Sequence, residues 1–470
     1  MAARNPGNMQ RFLTFVGLPF VAMIALHAAT ITPAAVTFDR DVLPILETHC
    51  QSCHRPGEAA PMSLLTYEST RPWAKAIKVA VLSRTMPPWP PDPRYGRFLH
   101  ERTLTAAEIE TLTAWVDGGA VEGDPQDKPA PIEWREGWTN QPDAVVSMPH
   151  PIPIPAKGAV ELTTVRVPTG FTQDTWVNSI EIHPGNRAVV HHVFVSFVPH
   201  DDDAEYGVPH AHKHKRDRAG IAVKKIPADD RLRSLSKADA IYVPGASFMD
   251  YTIHGASKLI PAGSDLLLQM HYTPDGTATT DQTSVGFTFA KQPPTRRFVM
   301  VDPSALRDQA HFHIPAGDPN WETSAEVVFH QDAELVWFMP HMHLRGKDMT
   351  YRLLYPNGER RTVLSVKFNF NWQMGYDLER PIAVPKGTKL EVTAHFDNSA
   401  NNPLNPNPNT DVWWGEQTWE EMMVPWFGLV VGADQDGKDV VNYAPDFSGC
   451  AAPQAKKEKQ FCREAEIMTQ

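Results

Sequence analysis

The chain has 470 residues and a net charge of -11, with a pI of ≈ 6.0. At roughly 150 residues per domain, this length suggests about three globular units. The acidic balance excludes a typical nucleic-acid-binding protein, which needs a basic face for phosphates, so we expect no nucleic-acid partner. The 43 prolines favour loop-rich β structure with linkers over long helices.

Residues 1–36 have the features of an export signal. Arg4 and Arg11 precede an apolar run at 12–26, and small residues follow it. The run is too short to cross a bilayer comfortably, which favours a signal peptide over a permanent anchor. We therefore expect an exported protein, periplasmic or otherwise extracytoplasmic, with an uncleaved N-terminal membrane tether as the alternative.

The segment from Cys50 to His54 contains the C-x-x-C-H motif that attaches a c-type haem. The thiols of Cys50 and Cys53 would bond to the haem vinyl groups, and His54 would become an axial ligand of the iron. Met86 is predicted to be the opposite ligand, with Met62 as the alternative. A redox C-x-x-C would need a βαβ context, and a zinc site would need a second pair of ligands nearby. The sequence around the motif provides neither.

A capped helix is predicted to follow this motif. Thr105 and Glu108 form a capping box, apolar residues recur at helical spacing, and Gly118 marks the end. With the C-x-x-C-H motif, this pattern makes residues 37–124 resemble a small class I-type cytochrome c. The resemblance implies an all-α cytochrome c domain that carries a covalently bound haem.

The rest of the chain differs from this segment in composition and in its hydrophobic pattern. Residues 125–157 are rich in proline and acidic side chains and are predicted to be a linker. Short apolar or alternating runs between turn signals then predict two all-β jelly-roll sandwich domains, at 158–300 and 301–440. The clearest strand predictions are 188–198, 265–272, 297–301, 334–339 and 389–396.

The tail at 441–470 contains two cysteines, Cys450 and Cys462. In an oxidising compartment they are predicted to form a short-loop disulfide, with two free thiols as the alternative.

Three histidine motifs have metal-ligand spacing: His191-His192, His271, and His341-Met342-His343. Neighbouring residues of a strand point to opposite faces, so His191 and His192 can share a metal only through a bulge or at a strand end. The i, i+2 spacing of His341 and His343 places both rings on one face. Each motif alone is weak evidence, because a lone histidine is more commonly structural than a ligand.

Two further groups of histidines are interpreted differently. His311 and His313 repeat the H-x-H spacing, while His210, His212 and His214 lie in a polar, charged stretch. We expect the second group to be a solvated surface, and neither group to contribute to a copper site.

Taken together with Glu421-Met422-Met423, the three motifs resemble the copper type II, ascorbate-dependent monooxygenases, which include peptidylglycine α-hydroxylating monooxygenase and dopamine β-hydroxylase. The order along the chain and the approximate spacing agree over residues 160–430. The resemblance implies two copper ions that face each other across a solvent-filled cleft. His191, His192 and His271 would hold the electron-supplying ion. His341, His343 and Met422 would hold the catalytic, oxygen-activating ion, with Met423 as the alternative to Met422.

The sequence departs from the peptide enzyme where substrate is held, because Val424 and Trp426 replace a polar residue and a tyrosine. The substrate is therefore left as an unknown organic molecule. The predicted function is hydroxylation of a C–H bond with dioxygen. The electrons would be supplied through the haem, by a small reductant, or by both, and the donor would be an ascorbate-like reductant or a redox protein. The alternatives are a non-catalytic electron-transfer or copper-binding protein and a polymer-associated binding protein.

Overall fold

The computed structural model describes residues 35–441 except 59, 135–136, 212–237, 247 and 307–311. Residues 1–34 of the predicted export signal (1–36) and the pair Cys450 and Cys462 lie outside the described residues, as do His212, His214 and His311. Among the helices that the structure describes, none is long and apolar enough to cross a membrane.

The α-helices of the described chain are short. They are α1 (Leu43–His49), α2 (Tyr67–Thr70), α3 (Ala74–Leu82), α4 (Ala106–Asp117) and α5 (Gly437–Val440). The predicted capping box of α4 is confirmed, because the Glu108 amide donates to Thr105 Oγ1 at 3.2 Å and the Thr105 amide donates to the Glu108 carboxylate at 2.7 Å. Gly118 follows the last helical residue, also as predicted.

Strands form most of the remaining regular structure. In chain order they are β1 (Ala144–Ser147), β2 (Ile152–Ile154), β3 (Thr163–Pro168), β4 (Thr175–His183), β5 (Val190–Pro199), β6 (His210–Ala211), β7 (Ala240–Tyr242), β8 (Phe248–Asp250), β9 (Lys258–Ile260), β10 (Ser264–Tyr272), β11 (Thr279–Asp281), β12 (Ser284–Phe289), β13 (Arg296–Val301), β14 (His313–Ile314), β15 (Trp321–Val328), β16 (Ala333–His341), β17 (Gly346–Leu354), β18 (Arg360–Lys367), β19 (Tyr376–Val384), β20 (Lys389–Phe396), β21 (Val412–Trp413) and β22 (Val424–Gly432).

Four larger antiparallel sheets contain most of these strands. Their orders are β1-β12-β4-β8 with β9 also on β4, then β6-β3-β10-β5-β7, β13-β22-β16-β19 and β15-β20-β17-β18. The five clearest strand predictions are confirmed, as β5, β10, β13, β16 and β20. Their alternating or apolar patterns correspond to strands with at least one face in a hydrophobic core.

The predicted fold class, an all-α cytochrome c domain followed by two all-β jelly-roll sandwich domains, is wrong. The structure is mostly β, with 38% strand and 14% helix, and the residues that it describes contain no all-α cytochrome domain. The described residues from Val36 onward belong to one compact unit. The N-terminal helices, α1 to α4, pack around a small core of their own that includes Phe38, Leu46 and Trp115.

The physical reason lies in the segment between α3 and α4, residues 90–99, which we call the strap. The strap leaves the helices and pairs with strands far along the chain. The Asp92 amide donates to the Ser365 carbonyl at 2.8 Å, and the Leu99 amide donates to the Asp377 carbonyl at 2.8 Å. The helical segment is therefore tied into the β structure instead of closing on itself.

The largest hydrophobic core crosses the position near residue 300 where a domain boundary was predicted. It joins Val193 and Leu266, from the earlier strands, to Phe298, Trp337 and Trp426, from the later ones. A second core lies between β13-β22-β16-β19 and β15-β20-β17-β18. The shared core packs the strands that carry His191, His192 and His271 against those that carry His341. The predicted domain bounds themselves stay predictions.

Candidate metal centre

The first histidine group, defined as His191, His192 and His271, is assembled by strand pairing. His271 on β10 lies opposite His192 on β5, and the next pair is Tyr272 with Val190, so His191 is the extra residue of a β-bulge. A bulge re-aims the side chain that it inserts, and a bulge here was one of the two arrangements predicted to let His191 and His192 share a metal. One potential ligand atom from each residue lies within 4.8 Å of the others.

The ring nitrogens of the first group have a definite arrangement. The Nδ1 atoms of His191 and His192 are 3.0 Å apart, and Thr418 Oγ1 lies 2.6 Å from His271 Nε2. Because Thr418 occupies that Nε2, the Nδ1 of His271 remains for a metal. Burial lowers the pKa of His191 to about 4 and that of His271 to about 3. These rings are therefore neutral at pH 7, which is the form that binds metals.

The second histidine group, defined as His341 and His343, lies where β16 ends. His341 is the last strand residue and His343 follows in the connection, so only one of the two is on the strand itself. The predicted alternation nevertheless holds, because the two ring centroids are 5.4 Å apart while Met342 is buried in the second core. His341 and His343 are 1% and 3% exposed, and burial lowers the pKa of each to about 3.

Acceptors from two loops hold the Nδ1 atoms of the second group. Gln373 Oε1 contacts His341 Nδ1, and the Glu420 carbonyl lies 3.2 Å from His343 Nδ1. This arrangement leaves both Nε2 atoms as potential ligands. Orientation of a metal-binding imidazole through its other nitrogen is the usual arrangement at metal sites.

A buried carboxylate fixes the chain around His343. Glu421 accepts hydrogen bonds from the His343 amide at 2.9 Å and the Arg345 amide at 2.5 Å, and it is fully buried. Burial raises the pKa of Glu421 to about 8, while these amides and the Arg345 guanidinium oppose the rise. Arg345 is itself buried, and its Nε donates to Asn398 Oδ1 at 2.7 Å.

Sequence reasoning noted Glu421 only as part of the family resemblance, and it missed Gln373, Thr418, Arg345 and Asn398. Nothing in their local patterns identifies them, since each is defined by a partner that is distant in the chain.

The two neighbouring methionines differ in their surroundings. Met423 is 1% exposed and belongs to the second core, whereas Met422 is partly buried against the shared core that contains Met339 and Trp426. This difference favours Met422 over Met423 as a ligand, because Met423 has a packing role. Met422 as a metal ligand stays a prediction.

The two histidine groups adjoin each other. The ring centroids of His192 and His341 are 5.8 Å apart, with an interplanar angle of 87°. The solvent-filled cleft that the family resemblance implied between them is therefore replaced by direct ring packing.

The C-x-x-C-H motif faces the earlier β strands. Cys50 and Cys53 are free thiols, and burial raises the pKa of Cys50 to about 12. The His54 Nδ1 lies 3.3 Å from the Met62 carbonyl, which leaves its Nε2 available. Close to the motif, Arg187 Nη1 donates to the Glu58 carboxylate at 2.6 Å. Gly245 approaches Cys53 so closely that a Cβ there would lie 3.3 Å from the sulfur.

Met86 is partly exposed just beyond α3, and its role as an axial ligand stays a prediction. Two described histidines outside the two groups have acidic partners, and their exclusion from a copper site stays a prediction. His313 lies 2.9 Å from Asp411, and the exposed His210 lies 3.3 Å from Glu205.

The residues present fit the metals that the resemblance implies. The first group offers three neutral imidazoles, and the second offers two whose Nε2 atoms are left open. The thioether of Met422 follows Glu420 and Glu421, which both contact His343. Imidazole suits copper in either oxidation state, and thioether sulfur favours Cu(I). The two thiols and the open Nε2 of His54 likewise fit covalent haem attachment.

No protein-family profile and no curated protein sequence matches this chain. Among solved structures, it is similar to PNGF-II at 10% identity and a TM-score of 0.25, with 62% of this chain and 65% of that chain covered. It is also similar to a Paenibacillus xanthan lyase at 11% identity and a TM-score of 0.15, with 66% and 28% covered. The chain thus spans less than two thirds of either protein, and likenesses this weak carry no argument about function.

Proposed function

We propose that this chain is a copper-dependent monooxygenase that hydroxylates a C–H bond of an organic substrate. The balanced reaction takes the substrate, dioxygen, two electrons and two protons to the hydroxylated product and water. The observation that supports it best is the convergence of two groups of neutral histidines, from strands widely separated in the sequence, on one region of the molecule.

In this proposal the first group, His191, His192 and His271, holds the copper that supplies electrons. His341, His343 and Met422 hold the copper that activates oxygen; bound copper supplies the redox chemistry of both groups. The chain's own residues orient the ligands. Gln373 and Glu420 hold the Nδ1 atoms of the second group. Glu421 accepts hydrogen bonds from the main-chain amides of His343 and Arg345.

Aromatic side chains keep water from the ligands. Phe370 stacks on His191 with ring centroids 4.8 Å apart, and Phe194 stacks on His192 at 4.5 Å. Trp426 lies 5.4 Å from His341 by the same measure. Dry surroundings protect reactive species formed from dioxygen against side reactions.

We further propose that Cys50, Cys53 and His54 bind a c-type haem, with Met86 as the opposite ligand, and that electrons reach the copper ions through it. The contacts of Arg187 with Glu58 and of Gly245 with Cys53 support the route. Arg187 precedes β5, which carries His191 and His192, and Gly245 follows β7, which pairs with β5. An ascorbate-like reductant or an exported redox protein would be the donor. Haem retained on a denaturing gel supports the attachment, and haem that extracts into acidic acetone contradicts it.

Export is part of the same proposal, because c-type haem attachment and the basic-then-apolar N-terminal segment belong to an extracytoplasmic protein. Cell fractionation tests it. Haem-loaded protein recovered in the periplasmic or membrane fraction is the expected result, and recovery in the cytoplasm argues against export.

The test of the function itself uses Met422→Leu, which keeps the side-chain volume and removes the sulfur. We expect Cu(I) binding to weaken and product formation to be lost, while the haem spectrum is unchanged. Met423→Leu is the matched control, and it should change stability by less than about 1.5 kcal/mol and leave copper content near two ions per chain. Normal turnover by Met422→Leu, or binding of fewer than two copper ions by the natural protein, would contradict the monooxygenase.

The deep burial of the second group favours one alternative, a copper-binding electron-transfer protein without a substrate, because His341 and His343 are only 1% and 3% exposed. Oxygen uptake by the reduced protein separates the two. Uptake coupled to a hydroxylated product requires the monooxygenase, while reoxidation without any product indicates the alternative.

A further inference from the structure

The two histidine groups, predicted from sequence as separate metal sites, form one continuous set of ring contacts. His191 lies 5.2 Å from His192 and 5.5 Å from His271 by ring centroids, and His192 lies 4.6 Å from His271. His192 then lies 5.8 Å from His341, which lies 5.4 Å from His343. The step between the groups is therefore hardly longer than the steps within them.

Side chains, and not solvent, surround the junction between the groups. Phe194 is stacked on His192 and also lies 5.4 Å from His341. Trp426 closes the same side, at 5.0 Å from Phe194 and 5.4 Å from His341. His192 is 3% exposed and His341 1%, so the contact lies in the interior of the molecule.

The backbone makes this junction part of the fold. His192 lies within the run of β5 that pairs with β10, and His341 pairs with Val424 of β22 at the end of β16. The side chains of both sheets enter the shared core, which contains Val193, Met339 and Trp426. Separation of the two groups by water would require this core to open.

We propose that the five histidines and Met422 form one binuclear copper centre, and not two centres separated by water. The inference rests on the proposed binding of two copper ions, but it is independent of the substrate and of the haem. It concerns the magnetic and electronic contact between the ions, which the ring packing of His192 against His341 would bring about.

The test uses electron paramagnetic resonance on the full-length, haem-containing protein loaded with Cu(II), with copper content measured in parallel. At two ions per chain, we expect spin–spin coupling to broaden the copper signal or to reduce its integrated intensity below the bound copper. In His271→Gln one ion should remain, with a sharp spectrum that accounts for all of the bound copper. His343→Gln gives the same single-ion reference from the other group if His271→Gln does not fold.

The outcomes are distinguishable. Two bound ions whose spectrum equals the sum of the two single-ion spectra would overturn the binuclear centre and leave the proposed function intact. Fewer than two bound ions in the natural protein would overturn both. A coupled signal that disappears in either single-group variant would support the inference.

Discussion

The two histidine groups are built by different means, although they lie side by side. In the first group, strand register and one bulge bring His191, His192 and His271 together, and His191 and His192 meet through their Nδ1 atoms. In the second group, loop residues hold the Nδ1 atoms of His341 and His343, which leaves the Nε2 atoms open. The comparison indicates that the backbone ladder arranges the first group, while side-chain and carbonyl acceptors arrange the second.

This difference has a consequence for robustness. A strand ladder distributes its hydrogen bonds over many residues, so the first group depends less on single side chains, although Thr418 contacts His271 Nε2. The second group depends on a few buried polar residues, and removal of one partner in such a network is costly. We therefore expect single substitutions near the second group to have the larger effects.

The largest expected effect of this kind is that of Glu421→Ala. The substitution leaves the buried amides of His343 and Arg345 without an acceptor. At about 1–3 kcal/mol for each unsatisfied amide, we expect the free energy of unfolding to fall by about 2–6 kcal/mol, measured by urea denaturation.

Glu322→Ala is the matched control, since the Glu322 side chain is 66% exposed and bonds to the surface residue His395. It should change the free energy of unfolding by less than about 0.5 kcal/mol. Equal effects of the two substitutions would show that Glu421 does not support the second group.

Gln373→Leu should have the next largest effect. It removes the acceptor at His341 Nδ1 and should weaken copper binding at the second group about 10–100-fold, measured by competition with a Cu(I) chelator. Gln331→Leu is the control, because Gln331 bonds to Gln435 and not to a histidine. An unchanged affinity in Gln373→Leu would mean that the ring of His341 is held by packing alone.

The smallest expected effect concerns His192 and the pH dependence of the free energy of unfolding of the copper-free protein. The pKa of His192 lies well below its usual value, chiefly because of burial, with the neighbouring His271 as a further cause. A lowered pKa in the folded state stabilises the protein above the unfolded pKa of about 6.5. That stabilisation is lost as the pH falls below it.

Between pH 7 and pH 6, the free energy of unfolding of His192→Gln should therefore fall by about 0.7 kcal/mol less than that of the natural protein. The measurement is the free energy of unfolding at both pH values, by urea denaturation in the presence of a metal chelator. If the natural protein and the variant lose stability equally, His192 is not buried in its neutral form in the copper-free state.

The sequence allowed the strands and the histidine groups to be predicted because their signals are local. Apolar alternation identified β5 and β10, and strand geometry alone required a bulge or a strand end at His191 and His192. The supporting residues could not be predicted in the same way. Gln373, Thr418 and Arg345 matter only through partners far away in the chain, and neither composition nor spacing carries that information.

The predicted fold class is wrong for a related physical reason. The capped helix α4 was identified correctly as a local feature, but neither this helix nor the C-x-x-C-H motif shows what packs around it. Hydrogen bonds from Asp92 and Leu99 to β18 and β19 connect the helical segment to the later strands. An independent all-α domain would require residues 90–99 to close on the helices, and that path cannot be read from their proline-rich sequence.

The strap also sets an order of events during biogenesis. Its partners, Ser365 and Asp377, are synthesised long after the Cys50–His54 segment has left the ribosome. Pairings between distant parts of a chain form late, because the intervening chain must first be ordered. The strap can therefore take its place only once β18 and β19 are available. In a protein truncated before residue 360, we expect the strap to stay unpaired and sensitive to proteases.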